Sequence, residues 1–209
     1  MHKIGLTGGI CTGKSLVLDI FKKHNAYTLK ADEIARNILF GEDSPLLHQL
    51  SEIFGPGVVN PDSGINKESF SKILFEDTQK RNVVNQKILP LVIKERDNTF
   101  EELKKNSHYD LFVYESALLV ESGTYRDFDR IIVVYTNYEE QLRRLLQRDR
   151  IDRREAEKKI KSQYPLSEKL KVAHYIIDTS GSLENAERKT LETIHLLRKD
   201  LNIAEKAPE

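Results

Sequence analysis

Residues 8–15 read Gly8-Gly9-Ile10-Cys11-Thr12-Gly13-Lys14-Ser15, three glycines ahead of a lysine and a hydroxyl. The spacing satisfies G-x-x-x-x-G-K-[ST], and each element of that pattern has a use toward phosphate. Glycines let the backbone turn tightly and bring its N–H groups against phosphate oxygens. A helix starting where the loop ends adds the positive pole of its dipole. Lys14 supplies charge to the β- and γ-phosphates, and the Ser15 hydroxyl can ligate Mg²⁺. The flanks have the required form: the apolar run Lys3–Thr7 precedes the loop, and Leu16, Ile20 and Phe21 give the next stretch an apolar face. A nucleoside triphosphate is the expected ligand. Cys11 is read as loop filler, since no histidine is placed by sequence to activate it.

Phosphate-binding loops serve GTPases, motor ATPases and small-molecule kinases. A guanine reader needs N-K-x-D, and Asn66-Lys67-Glu68-Ser69 breaks that run at its last position. The chain is small for a motor. A kinase fits its size best, and a kinase needs a base for the attacking hydroxyl and positive charge over the transferring group. Asp32 is the leading base, just beyond the second apolar run, where the carboxyl edge of an open sheet binds ligands. Its alternative role is N-capping of the helix that begins with Glu33-Ile34-Ala35-Arg36. Positive charge is dense at Arg143, Arg144, Arg148, Arg150, Arg153 and Arg154. Arg144 and Arg148, four apart, share a helix face and suit bidentate phosphate contacts. The alternative is a solvated helix paired with Glu139, Glu140, Asp149, Asp152 and Glu155. A segment of this kind can act as a lid over the nucleotide.

Five short apolar runs would position these groups as strands: Lys3–Thr7, Ala26–Leu29, Leu111–Glu115, Arg130–Tyr135 and His174–Ile177. The middle ones are continuously apolar, as parallel strands buried on both faces are. Helices are expected at Lys14–His24, Asp32–Phe40, Ser44–Phe54, Lys67–Phe75, Thr78–Lys105 with a kink at Pro90, Tyr138–Asp149, Asp152–Gln163 and Leu183–Leu201. Gly55-Pro56-Gly57 and Asn60–Gly64 read as breakers, and the tail Asn202–Glu209 as frayed. Strands alternating with helices predict an α/β fold with a parallel sheet. The gap from Phe40 to Asp110 exceeds one crossover helix, so a helical subdomain for an acceptor is expected there.

The 209 residues carry 33 Lys+Arg against 33 Asp+Glu. A balanced charge gives no global pull toward nucleic acid or anionic membrane, so phosphate recognition has to be local. One cysteine excludes an internal disulfide, and no Cys/His cluster has zinc spacing. No apolar stretch reaches membrane-span length, and Lys3–Thr7 is too short for a signal sequence. A cytoplasmic protein is expected, as a monomer or small homo-oligomer.

Several blocks together resemble the dephospho-coenzyme A kinase family. Ile4–Ser15 resembles its G-L-T-G-G-I-x-S-G-K-S signature, and Lys30-Ala31-Asp32-Glu33-Ile34-Ala35-Arg36 its D-A-D-x-I-A-R block. Ala117-Leu118-Leu119-Val120-Glu121 resembles P-L-L-F-E, and Gln141–Asp149 the Q-x-x-R-x-x-x-R-D lid block. Gln163 and the Ala173…Ile177-Asp178…Gly181 end motif follow. The resemblance implies ATP-dependent phosphorylation of the ribose 3′-hydroxyl of dephospho-CoA, giving CoA, with Mg²⁺ as cofactor. It implies a three-layer α/β P-loop kinase fold with a five-stranded parallel sheet: core at 1–40 and 108–209, helical CoA-binding subdomain at 41–107, lid at 140–165. It makes Asp32 the base and Lys14 and Arg148 phosphate stabilisers. ATP contacts fall at Gly8, Gly9, Ile10, Cys11, Thr12, Gly13, Lys14, Ser15, Leu16 and Arg144, and substrate contacts at Asp32, Arg36, Leu118 and Leu119. The sequence departs from the family pattern at Lys30, Leu89 (of Leu89-Pro90), Ala117, His174 and Thr179.

Overall fold

The computed structural model describes residues 1–41, 44–60, 64–106 and 108–204. They form two compact units, Met1–Leu29 with Lys104–Glu209, and Lys30–Leu103. The second unit thus begins at Lys30, ahead of the limit at 41 drawn from sequence.

The first unit is built on a five-stranded sheet: β1 (His2–Gly8), β2 (Ala26–Lys30), β5 (Leu111–Glu115), β6 (Arg130–Tyr135) and β7 (Tyr175–Asp178), in the order β2-β5-β1-β6-β7. β1 lies at the centre and runs parallel to β5, with Leu6 opposite Glu115, and to β6, with Gly8 opposite Val134. β6 in turn runs parallel to β7. All of β5 is buried, which is why its sequence is apolar without alternation. The phosphate loop and Glu115 consequently emerge side by side from the carboxyl edge of adjacent strands.

Helices cover both faces. α1 (Lys14–Lys23) and α9 (Leu183–Asp200) bury Val17, Leu18, Ile20, Phe21, Ile194 and Leu197 against Ile4, Leu6, Val113, Ile132 and Val134. On the other face a Cβ at Gly5 would meet Leu119, Ile131 and Phe128, so glycine there admits close packing of the segment after β5. α8 (Leu166–Leu170) packs on β1 and β6. That helix, of five residues, and the 3₁₀ turn Thr124–Asp127 are too short to show periodicity in sequence. The expected fraying of the tail fails at Ile203, which packs on the core while its N–H donates to the Arg198 carbonyl. Residues 205–209 lie outside the described residues.

The second unit holds α2 (Ala31–Phe40), α3 (Leu47–Phe54), α4 (Lys67–Glu76) and most of α5 (Thr78–Asn106), which runs through Pro90 as one helix. Its centre is aromatic: Phe70 stands 4.7 Å from Phe54 and 6.2 Å from Phe40, ring to ring. Val59–Asn60 (β3) and Gly64–Ile65 (β4) pair antiparallel where only a breaker is expected. Pro61, Asp62 and Ser63 of that breaker lie outside the described residues.

Phe21 is fully buried between α9 and the sheet. Phe21→Ala is expected to lower unfolding free energy by about 3–5 kcal/mol, through lost transfer energy and the cavity left behind. Urea titration checks this: the midpoint should fall with the slope unchanged.

Candidate active site

The loop Gly8–Ser15 joins β1 to α1, and its shape follows from where a side chain cannot go. A Cβ at Gly8 would come within 2.5 Å of the Val134 carbonyl oxygen, which is backbone and cannot yield. Gly13 has φ 88°, in the left-handed region, and Cys11 has φ 55°. Left-handed residues interspersed in a turn make successive N–H groups converge, the concavity that binds anions. The first bond of α1 runs from the Val17 N–H to the Gly13 carbonyl at 3.2 Å. The N–H groups of Ser15 and Leu16 precede it, at the end of the helix that attracts negative charge.

Three distant side chains hold the loop in place. The Ile10 N–H donates to Gln163 Oε1 at 2.6 Å, and Gln141 Nε2 donates to the Ile10 carbonyl at 2.7 Å. The Thr179 hydroxyl donates to the Thr12 carbonyl at 2.7 Å. Thr12 is fully buried and closes the turn by donating its hydroxyl to the Gly9 carbonyl. Apolar contact adds to this. Ile10 and Cys11 pack on a small core of Leu142, Leu145 and Ala156 from α6 (Tyr138–Asp149) and α7 (Arg153–Lys161). The segment read as a lid is therefore seated on the phosphate loop.

Lys14 folds back along the loop. Its Nζ donates to the Gly9 carbonyl at 2.9 Å and lies 3.8 Å from Glu115 Oε1. Glu115 has no role in the sequence reading. Its signal there is an acidic residue closing a wholly apolar strand.

The arginine cluster divides. Arg143 and Arg153 are largely exposed and pair within their helices, with Glu140 and Glu157, so the solvated-helix alternative holds for them. Arg150 and Arg154 are exposed as well. Arg144 turns inward: Nε donates to Glu140 at 2.8 Å, and the two terminal nitrogens to the Thr179 hydroxyl at 3.2 Å and carbonyl at 2.7 Å. Arg148 donates to Asp149 at 2.7 Å and stands near Cys11. Burial pushes the Cys11 thiol up, against the opposing charge of Arg148. Hydrogen bonds from Arg148, then Lys159, hold Asp149 down at about 2.

Beside the loop lies a cleft of about 290 Å³, lined by Gly13, Leu16, Arg143, Arg144, Thr179 and Leu183 among others. Its apolar side chains and the planar Arg144 guanidinium suit a flat heterocycle.

The remaining residues separate by unit and by depth. Ser15 is exposed on the first turn of α1. Leu118 is exposed, but Leu119 is fully buried beside Gly5. Its side chain belongs to the core, which corrects its expected contact with substrate. Asp32 and Arg36 lie exposed on α2 in the second unit. The cap of α2 is the extended residue Lys30, so Asp32 sits inside the first turn and the N-capping alternative falls. Among the described residues no group of three acidic, histidine or cysteine side chains could hold a metal ion. Ser15 and Glu115 offer the hard oxygens that Mg²⁺ takes when a nucleotide supplies the rest.

Glu140 also lines the cleft beside the loop and pairs with two arginines of its own helix. Hydrogen bonds from Arg143, then Arg144, hold its carboxyl at about 2 against an ordinary 4.5. A depressed folded-state value stabilises the fold above the unfolded value, and that contribution is lost as pH falls through the folded one. Wild type should therefore exceed Glu140→Gln in stability at neutral pH, with the gap closing between pH 4.5 and about 2. Urea unfolding across that range tests it; a pH-independent gap would contradict the assignment.

The dephospho-CoA kinase family profile matches residues 2–185. A dephospho-CoA kinase of Aquifex aeolicus is 34% identical over 201 residues, 96% of this chain and 100% of the relative. That of Carboxydothermus hydrogenoformans is 38% identical over 188 residues, 90% of each chain. A solved Thermus thermophilus protein has the same fold, with a TM-score of 0.74 and 26% identity over 94% of this chain and 97% of its own. With a phosphate loop on a parallel sheet, and two arginines on a helix seated over it, the chain belongs to the dephospho-CoA kinase family of phosphotransferases.

Proposed function

We propose that the chain transfers the γ-phosphoryl group of ATP to the ribose 3′-hydroxyl of dephospho-CoA, yielding CoA and ADP, the last step of CoA synthesis. The observation that carries the reading is the phosphate loop, with Lys14 folded over it and Arg144 fixed at its side, in a chain of this family. The triphosphate lies in the loop and the adenine in the cleft beside Arg144. Lys14 leaves the Gly9 carbonyl and Glu115 to take the β- and γ-phosphate oxygens. Arg148 is itself exposed and is held by Asp149, its neighbour in sequence, an interaction worth little, and swings to the transferring group at small cost.

Ser15, with Glu115 nearby, would hold Mg²⁺, which would supply neutralisation of phosphate charge. Asp32 is the base. Its carboxylate accepts the 3′-hydroxyl proton as that oxygen bonds to the γ-phosphorus and the bond to the β-γ bridging oxygen breaks. No hydrogen bond or ion pair engages Asp32 among the described residues, which leaves it available. Arg36, one turn on along α2, is exposed and suits an anionic part of the acceptor, and Leu118 an apolar part. We place this activity in the cytoplasm, in a monomer or small homo-oligomer. The balance of 33 basic and 33 acidic residues supports a small-molecule acceptor over nucleic acid or membrane.

The test mixes purified protein with ATP, Mg²⁺ and dephospho-CoA. CoA and ADP should appear in equal amounts; nucleotide binding without CoA formation would overturn the reading. Asp32→Asn should lower kcat by about 10²–10⁴-fold while ATP affinity, measured by calorimetry, stays near wild type. Full turnover in that variant would remove Asp32 as the base. Arg148→Ala should cost roughly 3–4 kcal/mol of transition-state stabilisation. An unchanged kcat/KM for ATP would reduce Arg148 to a surface charge.

A further inference from the structure

Lys169 is a fully buried ammonium that the proposed mechanism leaves unused. Its Nζ donates to the Ala117 carbonyl at 2.5 Å and to the two Glu121 carboxylate oxygens at 2.7 and 2.8 Å. An ammonium has three donors, and all three are engaged on one turn, Ala117–Glu121. Burial pushes the Lys169 ammonium down, against the pull of Glu121.

A buried ion pair of this kind is poor evidence of stability, because apolar side chains of similar volume commonly do as well. A methionine would fill the space of Lys169 without reaching any oxygen. What the lysine adds is geometry, the fixing of a particular backbone carbonyl and carboxylate.

That geometry adjoins the site. Ala117 is two residues past Glu115, the partner of Lys14, and one before the exposed Leu118. The Ser116 N–H donates to the Leu6 carbonyl, so the turn leaves the sheet beside the strand that feeds the phosphate loop. At the other end of the segment 163–169, Gln163 accepts the Ile10 N–H. One strap therefore holds the phosphate loop by its first residue and the turn after β5 by its last.

We propose that Lys169 is a positioning residue for phosphoryl transfer, tethering the Ala117–Glu121 turn so that Glu115 stays beside the phosphate loop and Leu118 stays presented at the surface. The inference rests on the kinase reading above. It acts through Glu115 and the turn, and Lys169 itself touches no substrate.

The test uses the full chain with Lys169→Met and Glu121→Met combined, since Lys169→Met alone strands a carboxylate. The double variant should keep a wild-type urea midpoint. Its kcat should fall about a hundredfold, the scale of a small misplacement of reacting groups. KM for ATP should hardly change, because Gln163 and Ile10 are untouched. A purely structural pair would move the midpoint and leave kcat, and wild-type kcat in the folded double variant overturns the proposal. If that variant does not fold, Lys169→Arg replaces it. Its planar fork cannot place donors on the same three oxygens, so kcat should fall at unchanged stability, and wild-type kcat again overturns the proposal. Amide exchange at Leu118 and Ser122, whose N–H donates to the Leu118 carbonyl, is read alongside. It should quicken in either variant. This arm needs no turnover, so it separates the failure of the tether, seen as unchanged exchange, from failure of the kinase reading, seen as no CoA from wild type.

Discussion

The site depends on the pairing of one residue's backbone: the N–H and the carbonyl of Ile10 are both taken by glutamine side chains, 153 and 131 residues away in sequence. A loop that must aim its other N–H groups at a ligand cannot satisfy itself through secondary structure. Leaving a buried donor or acceptor unpaired costs about 1–3 kcal/mol. Gln141 and Gln163 meet that demand from outside, and they sit at the two ends of the segment that also carries Arg144 and Arg148. The loop's anion-binding form and the placement of the arginines are thus one arrangement. Folding α6 and α7 over Ile10 and Cys11 aligns both at once.

Within that arrangement the two arginines are held with different firmness. Arg144 makes bonds to a carboxylate, a hydroxyl and a carbonyl, so its guanidinium is fixed before a ligand arrives. A side chain set in place beforehand loses little further freedom when a ligand binds. Arg148 pairs with its own neighbour, Asp149, whose other oxygen is shared with Lys159. When Arg148 leaves, Lys159 still satisfies the carboxylate. The helix therefore carries one arginine bonded to three groups and another bonded to its sequence neighbour alone.

Much of this was legible in the sequence because burial and local chain chemistry wrote it there. The five strands carry short apolar runs, continuous in the middle ones, and were found within a residue or two, as were the phosphate loop and the long helices. The elements missed are the short ones: α8, the 3₁₀ turn and the two-residue pair β3/β4 are stabilised by what they touch. The same holds for single residues. Glu115, Thr179 and Lys169 acquire their roles from partners far along the chain, and Leu119 looked like a surface contact until Gly5 was seen to admit it into the core. The boundary at Lys30 was missed because β2 passes into α2 with no breaker between them. Ile203 shows the converse error, a polar tail in which one apolar residue finds the core.

Departures from the family pattern are absorbed unevenly. In the first unit, local bonding replaces what the pattern omits. Thr179 reaches both the Thr12 carbonyl and Arg144, and His174 uses Nδ1 to accept the Ile131 N–H at 3.0 Å while its own N–H donates to the Ile131 carbonyl. Ala117 contributes through its carbonyl, which any residue would carry, so the loss of proline there leaves the bond to Lys169 intact. Leu89 in the second unit is different in kind. A leucine neither donates nor accepts a hydrogen bond and takes up no proton. Backbone bonding cannot supply a titratable group at that position. The departures in the first unit are thus bonded into the fold, whereas the side chain at position 89 offers no such bond.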